Sequence, residues 1–483
     1  MRKTLLASTA GAALALSAAG ALACEPDYSG VTLTAGTQTG PYIASALTMA
    51  AEVWSEQTCG TVQVVEFPWS ELYPKIVTTL VAGEDDFDLI TFAPAWSPDF
   101  TAFLTEMPAE MREGEDWEDI APVYRESLMV WNGQVLSQTM DGDVHTYSYR
   151  IDLFEDPDEQ AAFEAEYGYP LAIPQTWEQY LDIAEFFQRP DDNLWGTAEA
   201  FRRGGQQFWF FFSHAAAYTN HPDHPGSMFF DPETMDAQIN NPGWVRGLEE
   251  YIRASELAPP NALNFSFGEV NAAFAGGQVA ESIGWGDTGV IAADPAQSVV
   301  AGNVGSAILP GSTEIWNYKT GEWDTFDEVV YSPFMAFGGW QAAVPQASTN
   351  QEAAWHFIGV LTSPEVSSRA AVTGGTGVNP YRATHTENLE IWEPIFSERE
   401  AQEYLGAQAD SINAPNVALD MRLPGYFSYT EILEIELSKA LAGQVTPQEA
   451  LDTVAAGWNE LTDEFGRDTQ LAAYRASMGL PAM

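Results

Sequence analysis

Apolar and polar positions change rhythm several times along the first third of the chain. Val31-Thr32-Leu33-Thr34 is β-rich and stops at Gly36. Pro41 to Trp54 switches to helical spacing, with Ile43, Leu47, Ala50 and Val53 sharing one face. Val62 to Phe67 is a second β-rich run, and Glu71 to Val81 is helical again. Pro74 falls in the first turn of that helix, where its missing N–H does no harm. Phe87 to Phe92 reads as a third strand. Strand, helix, strand, helix, strand predicts a parallel α/β layer with right-handed crossovers. Ligands of such sheets sit at the carboxyl ends of the strands. The loops Thr37–Tyr42, Pro68–Leu72 and Ala93–Pro98 are therefore the expected walls of a site.

Later segments are mostly helical. Thr176–Phe187 is amphipathic and opens on Thr-Trp-Glu, and Phe208–Phe212 is an aromatic run. Pro242–Ser255, Phe267–Phe274, Asn350–Leu361 and Gln448–Phe465 carry helical spacing. Asn350 is placed as an N-cap, and Thr446-Pro447 as an N-cap with proline at the first position. There is no internal repeat and no long low-complexity linker.

The first residues form an address label. Arg2 and Lys3 precede the small, apolar stretch Leu5–Leu22, and Ala21-Leu22-Ala23 has the small-x-small cleavage pattern. Residues 1–23 are read as a secretory signal peptide rather than a membrane anchor. No later segment is long and apolar enough to span a bilayer. The only cysteines are Cys24 and Cys59. Export to an oxidising compartment makes a disulfide between them the expected state. Lipid attachment at Cys24 competes. It would leave Cys59 unpaired, and Ala21 stands where lipoproteins usually carry Leu.

Charge narrows the partners. Among 483 residues, 19 are Lys or Arg and 69 are Asp or Glu, a formal net charge of −50. Such a surface repels nucleic acid and anionic lipid and attracts cations. The 16 Trp, 26 Phe and 18 Tyr exclude a low-hydrophobicity disordered chain. The acidic residues are scattered, which suits a solvated surface rather than a tail.

Catalytic signatures are missing. There is no phosphate-binding Gly-x-x-x-x-Gly-Lys loop, no Gly-x-Ser-x-Gly elbow and no His-Glu-x-x-His helix. Gly374-Gly375-Thr376-Gly377 reads as a turn, because Asn379-Pro380 follows where a helix would start. His214, His221 and His224 cluster with Asp223, but His221 and His224 each precede a proline closely and read as loop residues. No metal or cofactor is expected. Carboxylate pairs are too common at this composition to nominate a glycosidase. What stands out is tryptophan beside turn residues. Trp69 follows Pro68, Trp96 lies between Pro94 and Pro98, and Trp209 sits in the aromatic run. Trp285 lies in Gly-Trp-Gly-Asp, and Trp340 in Gly-Gly-Trp-Gln. Core packing accounts for any one of them as well as ligand binding does. Together, flat apolar faces beside amides and carboxylates suit a sugar, with C–H faces and a hydroxyl rim.

These residues fall into an ordered series. It runs through Tyr73-Pro74-Lys75-Ile76, Ala82-Gly83 and Phe87-Asp88-Leu89-Ile90. Asp141-Gly142-Asp143, Tyr149–Phe154 and Pro174-Gln175-Thr176-Trp177-Glu178 follow. Next come Asn240-Asn241-Pro242, Phe274–Gly277 and Trp285, then Gly338-Gly339-Trp340 with Ala353-Ala354-Trp355 and Phe357. Pro380-Tyr381-Arg382, Ala442-Gly443 and Pro447–Leu451 close it. In this order and spacing the chain resembles the extracellular solute-binding proteins of ATP-driven (ABC) importers, sugar-binding family 1, related to maltose-binding protein. The resemblance implies the periplasmic-binding-protein type II fold: two α/β lobes joined by a hinge, with the ligand in the cleft between. Residues 24–143 and 341–385 would form the N-terminal lobe, and 144–340 and 386–483 the C-terminal lobe. It places Asp143 at the hinge, Trp285, Trp340 and Arg382 at sugar-touching positions, and Trp69 and Trp96 in loops that reach the cleft. Gln38, Trp209, Asp287 and Gln341 complete the candidate set. Ala95-Trp96 replaces a polar group of maltose binders, which disfavours maltose. Extra length around His214–Gly226 and Gly311–Val329 is expected to reshape the cleft.

The reading that follows is a monomeric periplasmic receptor that passes a sugar, oligosaccharide or polyol to membrane permease subunits and does no chemistry. Two alternatives remain open at this point: a receptor for a cationic solute such as a polyamine, betaine or metal ion, and an exported glycoside hydrolase.

Overall fold

The computed structural model describes residues 24–481. The expected signal peptide, residues 1–23, lies outside them. Two sheets organise the chain. The first has the order Thr61–Phe67, Thr32–Gln38, Leu89–Phe92, Gln341–Ala343, Gln138–Thr139. Its first three strands are parallel, as the alternating pattern predicts. Gln341–Ala343 runs antiparallel to both its neighbours, so Gln138–Thr139 points the same way as the first three. The sheet is thus mixed, not purely parallel, because Gln341–Ala343 returns from the second half of the molecule and enters from the opposite end. The second sheet has the order Val304–Ala307, His145–Arg150, Val279–Trp285, Trp195–Ala198.

Helices form close to where their periodicity predicts. Ala44–Thr58 buries Ala46, Leu47, Ala50 and Trp54. Trp69–Ala82 carries Pro74 inside it and buries Leu72, Ile76 and Leu80. The Thr176 side chain accepts from the Gln179 N–H and opens Trp177–Phe186. Thr446 makes a reciprocal capping box with Glu449 ahead of Pro447–Phe465. Asn350 precedes Gln351–Leu361 but makes no side-chain cap. Its Nδ2 instead donates to Asp88 Oδ1 at 3.1 Å, tying the helix to the first sheet. The Phe208–Phe212 run lies within the wholly buried helix Gln207–Thr219.

Cys24 and Cys59 form a disulfide, with their Cα atoms 5.8 Å apart. It joins the start of the described chain to the C-terminal cap of Ala44–Thr58. Tyr28 then stacks on Trp54, ring centroids 5.5 Å apart.

The chain crosses between the sheets at Met140–Val144 and again at Ala336–Trp340. The two crossings are bonded, Met140 N–H donating to the Trp340 carbonyl at 2.9 Å, and a third segment joins them where Asn379 N–H donates to Asp141 Oδ1 at 2.7 Å. Beyond Arg382 the chain rejoins the second sheet, where Glu400 Oε1 accepts from Val304 N–H at 3.1 Å.

Gly311–Val329 folds as a hairpin, Ser312–Asn317 with Glu322–Val330. It packs on the other long segment: Trp323 meets Tyr218 edge-on, and Asp324 Oδ2 lies 3.0 Å from His221 Nε2. The expectation that these segments reshape the cleft is therefore corrected. They cover each other, and neither lines the cleft described below.

Candidate functional site

The carboxyl ends of the first sheet's strands face the second half across a narrow cleft. Gln38 ends its strand, and Tyr42 follows in the loop before Ala44–Thr58. Trp69 opens the next helix directly after Pro68. From the hinge come Asp143, Phe337 and Trp340. The second half supplies Gln206, Phe267, Trp285 and Asp287, and Ile43 and Gly377 close the ring. The space they leave is about 30 Å³. Usual ligand pockets measure about 300–1,000 Å³. The two halves are thus drawn together: Tyr42 meets Phe267 edge-on at 4.9 Å, and Trp69 meets Trp209 at 5.9 Å. Nearby, Tyr73 stacks on Phe427, and Asp99 Oδ1 accepts from Gly425 N–H at 3.1 Å.

The aromatic wall is continuous. Trp69 lies 5.4 Å from Trp96, 5.9 Å from Phe337 and 6.1 Å from Trp340. Trp285 lies at the end of its strand and is held by Nε1–H donating to Gln206 Oε1 at 2.9 Å. Gly339 makes the hinge packing possible. It sits at φ +76°, and a Cβ there would fall 2.0 Å from the Asp141 carbonyl oxygen. Ile43 and Phe337 also have positive φ, 66° and 61°. Such values are unusual for β-branched or bulky residues, and strain of this kind concentrates at functional sites.

The polar floor is acidic. Asn379 Nδ2–H donates to Asp143 Oδ1 at 2.8 Å, and Asn271 Nδ2–H donates to Asp287 Oδ2 at 3.3 Å. Burial, and then the Asp141 charge, push Asp143 well above the usual carboxylate range. Burial first, with Asp141 adding to it, lifts Asp287 to about 6. Tyr42 is likewise raised, by burial and then by the Asp287 charge.

Six of the ten sequence candidates line this cleft: Gln38, Trp69, Asp143, Trp285, Asp287 and Trp340. Four are placed elsewhere. Trp96 is buried behind Trp69, and Trp209 is buried with its Nε1–H on Asp420 Oδ2 at 2.9 Å. Gln341, one residue beyond Trp340 in an extended strand, points to the opposite face. There its Nε2 donates to Thr139 Oγ1 at 2.8 Å. Arg382 is a structural clamp. It donates to the Asp116 carbonyl at 2.6 Å, to the Thr362 carbonyl and to Asp119 Oδ2 at 3.3 Å. The lining residues missed in the sequence are Tyr42, Ile43, Gln206, Phe267, Phe337 and Gly377. Tyr42 lies in a loop marked by strand order, but nothing local distinguishes Gln206 or Phe337.

Of the three clustered histidines, His221 and His224 lie together, ring centroids 4.8 Å apart, and His214 lies apart from them. His214 lies inside a helix, its Nε2 3.0 Å from Glu199 Oε2, while His221 pairs with Asp324. Among the described residues no three His, Cys, Asp or Glu are placed to hold a metal ion, and no helix is long and apolar enough to cross a membrane.

The family model for bacterial extracellular solute-binding proteins matches residues 40–367, more than half of the chain. The chain belongs to this family. A curated relative from Sinorhizobium fredii is 22% identical over 375 residues, 75% of each chain. It is named "Probable amino-acid ABC transporter periplasmic-binding protein". Among solved structures, an ABC transporter solute-binding protein from Agrobacterium radiobacter, in complex with ribitol, is 22% identical. The match covers 90% of this chain and all of that one, at a TM-score of 0.71. Maltose-bound MalE3 of T. maritima is 20% identical, with 89% and 100% covered, at a TM-score of 0.70. This solute-binding protein thus has the two-lobed type II architecture, and its cleft lies where the strand ends of both lobes meet.

Proposed function

We propose that this solute-binding protein captures a sugar or polyol outside the cytoplasmic membrane and delivers it unaltered to the permease of an ABC importer. The observation that carries this reading is the cleft itself. Trp69, Trp285, Trp340 and Phe337 present ring faces and edges, while Gln38, Gln206, Asp143 and Asp287 supply amide and carboxylate groups between them. Hydroxyls both donate and accept, so this mixture satisfies them in pairs. The ribitol and maltose of the two structural relatives agree with it.

An amino acid, suggested by the name of the curated relative, fits less well. Its carboxylate would meet Asp143 and Asp287, and no Lys, Arg or His lines the cleft to offset them. The lobes are assigned as residues 24–143 with 341–385, and 144–340 with 386–483, supported by the membership of the two sheets. Residues 1–23 serve export, and the protein acts as a monomer. Thermal unfolding against a panel of sugars and polyols tests the reading. A guest at a hundred times its dissociation constant raises stability by about 2.7 kcal/mol. No shift with any carbohydrate overturns it. Chromatography of the recovered guest separates receptor from hydrolase: a shortened oligosaccharide would establish catalysis.

A further inference from the structure

We infer that Gln408 and Tyr404 bias the guest-free protein towards an open form: behind the hinge, closure leaves their polar atoms buried without partners, and parting of the halves restores partners to them. This goes beyond the carbohydrate reading and does not depend on which solute is bound.

Tyr404 and Gln408 lie one turn apart on the same face of the helix Glu398–Ile412. That helix is tied to the second sheet through Glu400 and Val304. Facing it is Asn379, held by Asp141 and Asp143 of the crossing. All three side chains are buried. Among the described residues, Gln408 Oε1 and Nε2, Asn379 Oδ1 and the Tyr404 hydroxyl have no hydrogen-bond partner. Asn379 Oδ1 and Gln408 Nε2 converge on Gly286. A Cβ there would lie 2.4 Å from the first and 2.5 Å from the second, so acceptor and donor stand within about 5 Å of each other and do not bond. Burial, and then the Asp287 charge, hold the Tyr404 hydroxyl well above the usual tyrosine range, which places it at the same junction.

Buried polar groups are ordinarily paired, and each one left unpaired opposes the state that buries it. Here the unpaired atoms belong to a contact between the halves, so parting the halves changes it. Beside this contact the last turn of the same helix, at Ala409, Ile412 and Asn413, faces Pro380–Ala383 across a space of about 220 Å³, lined by different residues from the cleft. The helix therefore has room to shift against Asn379 as the cleft opens, which brings donor to acceptor or admits water. Closure is then reached when the contacts of a guest outweigh these atoms.

The test is small-angle X-ray scattering of the mature protein without guest, as wild type, Gln408→Met and Tyr404→Phe. Methionine keeps an unbranched side chain and removes both amide atoms, and phenylalanine removes the hydroxyl alone. The wild type should measure larger than the closed form. Gln408→Met should be more compact, its ratio of open to closed molecules falling at least about fivefold, the least that relief of one buried orphan supplies. Tyr404→Phe should move the same way. A wild type that already matches the closed form, or a Gln408→Met protein no more compact than wild type, overturns the inference. Expansion of that variant overturns it too, and would show that trapped water pairs these atoms in the closed form. If Gln408→Met does not fold, Tyr404→Phe decides by the same outcomes. Because no guest is present, the result is separate from the carbohydrate reading, which the panel of sugars and polyols tests.

Discussion

Asp287 shows what burial does to a carboxylate that lacks a counter-charge. Its folded pKa of about 6 lies above its unfolded value near 3.8. The folded state therefore holds the proton more tightly. Stability from this group is fully present below pH 3.8 and is lost as pH rises through about 6. A difference of about two units corresponds to about 3 kcal/mol. Asp287→Asn should accordingly stabilise the unliganded protein at pH 7 by up to that amount, with the gain vanishing near pH 4. Urea unfolding of both proteins at the two pH values checks it, and equal differences at both would refute it. Arg382 tests the opposite kind of residue. The residue is 4% exposed, and its guanidinium bonds two distant segments, Asp116–Asp119 and Thr362. Arg382→Ala should cost about 3–5 kcal/mol by stranding Asp119 and the carbonyls. Its guest affinity, by titration below the melting point, should change no more than about twofold, since no cleft group depends on it.

At the scale of elements, the disulfide and the cleft contact make separable claims. Cys24 and Cys59 are 35 residues apart in sequence. Closing such a loop stabilises by about 3–4 kcal/mol in the chain-entropy model. Cys24→Ala with Cys59→Ala should lose about that much in urea unfolding, and reductant should then have no further effect. The Tyr42–Phe267 contact joins the loop before one helix to the start of another, across the cleft. Aromatic pairs of this geometry are worth about 0.5–1.5 kcal/mol beyond their burial. Phe267→Ala should let the halves part, seen as a larger radius of gyration by small-angle X-ray scattering without guest. It should also lower guest affinity. An unchanged radius would show that other contacts hold the closed form.

For the whole molecule, the narrow cleft has one consequence. A guest larger than the space between Tyr42, Trp69 and Trp285 must bind while the halves are apart, and closure then follows from contacts that only the closed state makes. Guest binding should shift the intrinsic fluorescence, because Trp69, Trp285 and Trp340 all line the cleft. It should also reduce the radius of gyration of a population that had opened. A fluorescence change without compaction would argue for a guest bound on one half alone.

Local signals carried the elements and much of the site. The changes of period gave the first sheet's parallel strands, and Thr176 and Thr446 announced their helices through caps that act within one turn. Tryptophans beside turn residues pointed to the cleft, because a strand end or helix start is where a large ring can meet solvent. Which tryptophan lines the cleft was decided only by packing: Trp96 shares that composition yet lies behind Trp69, and Trp209, opposite Trp69, is buried with its indole N–H on Asp420. The same holds for the acidic floor. Asp143 and Asn379 meet across 236 residues, and Asp287 joins them from another strand end. Periodicity and capping are short-range and can be read along the chain. The pairing of distant polar groups, and the diversion of Arg382 into a clamp, depend on how two sheets close on each other, which no local window contains.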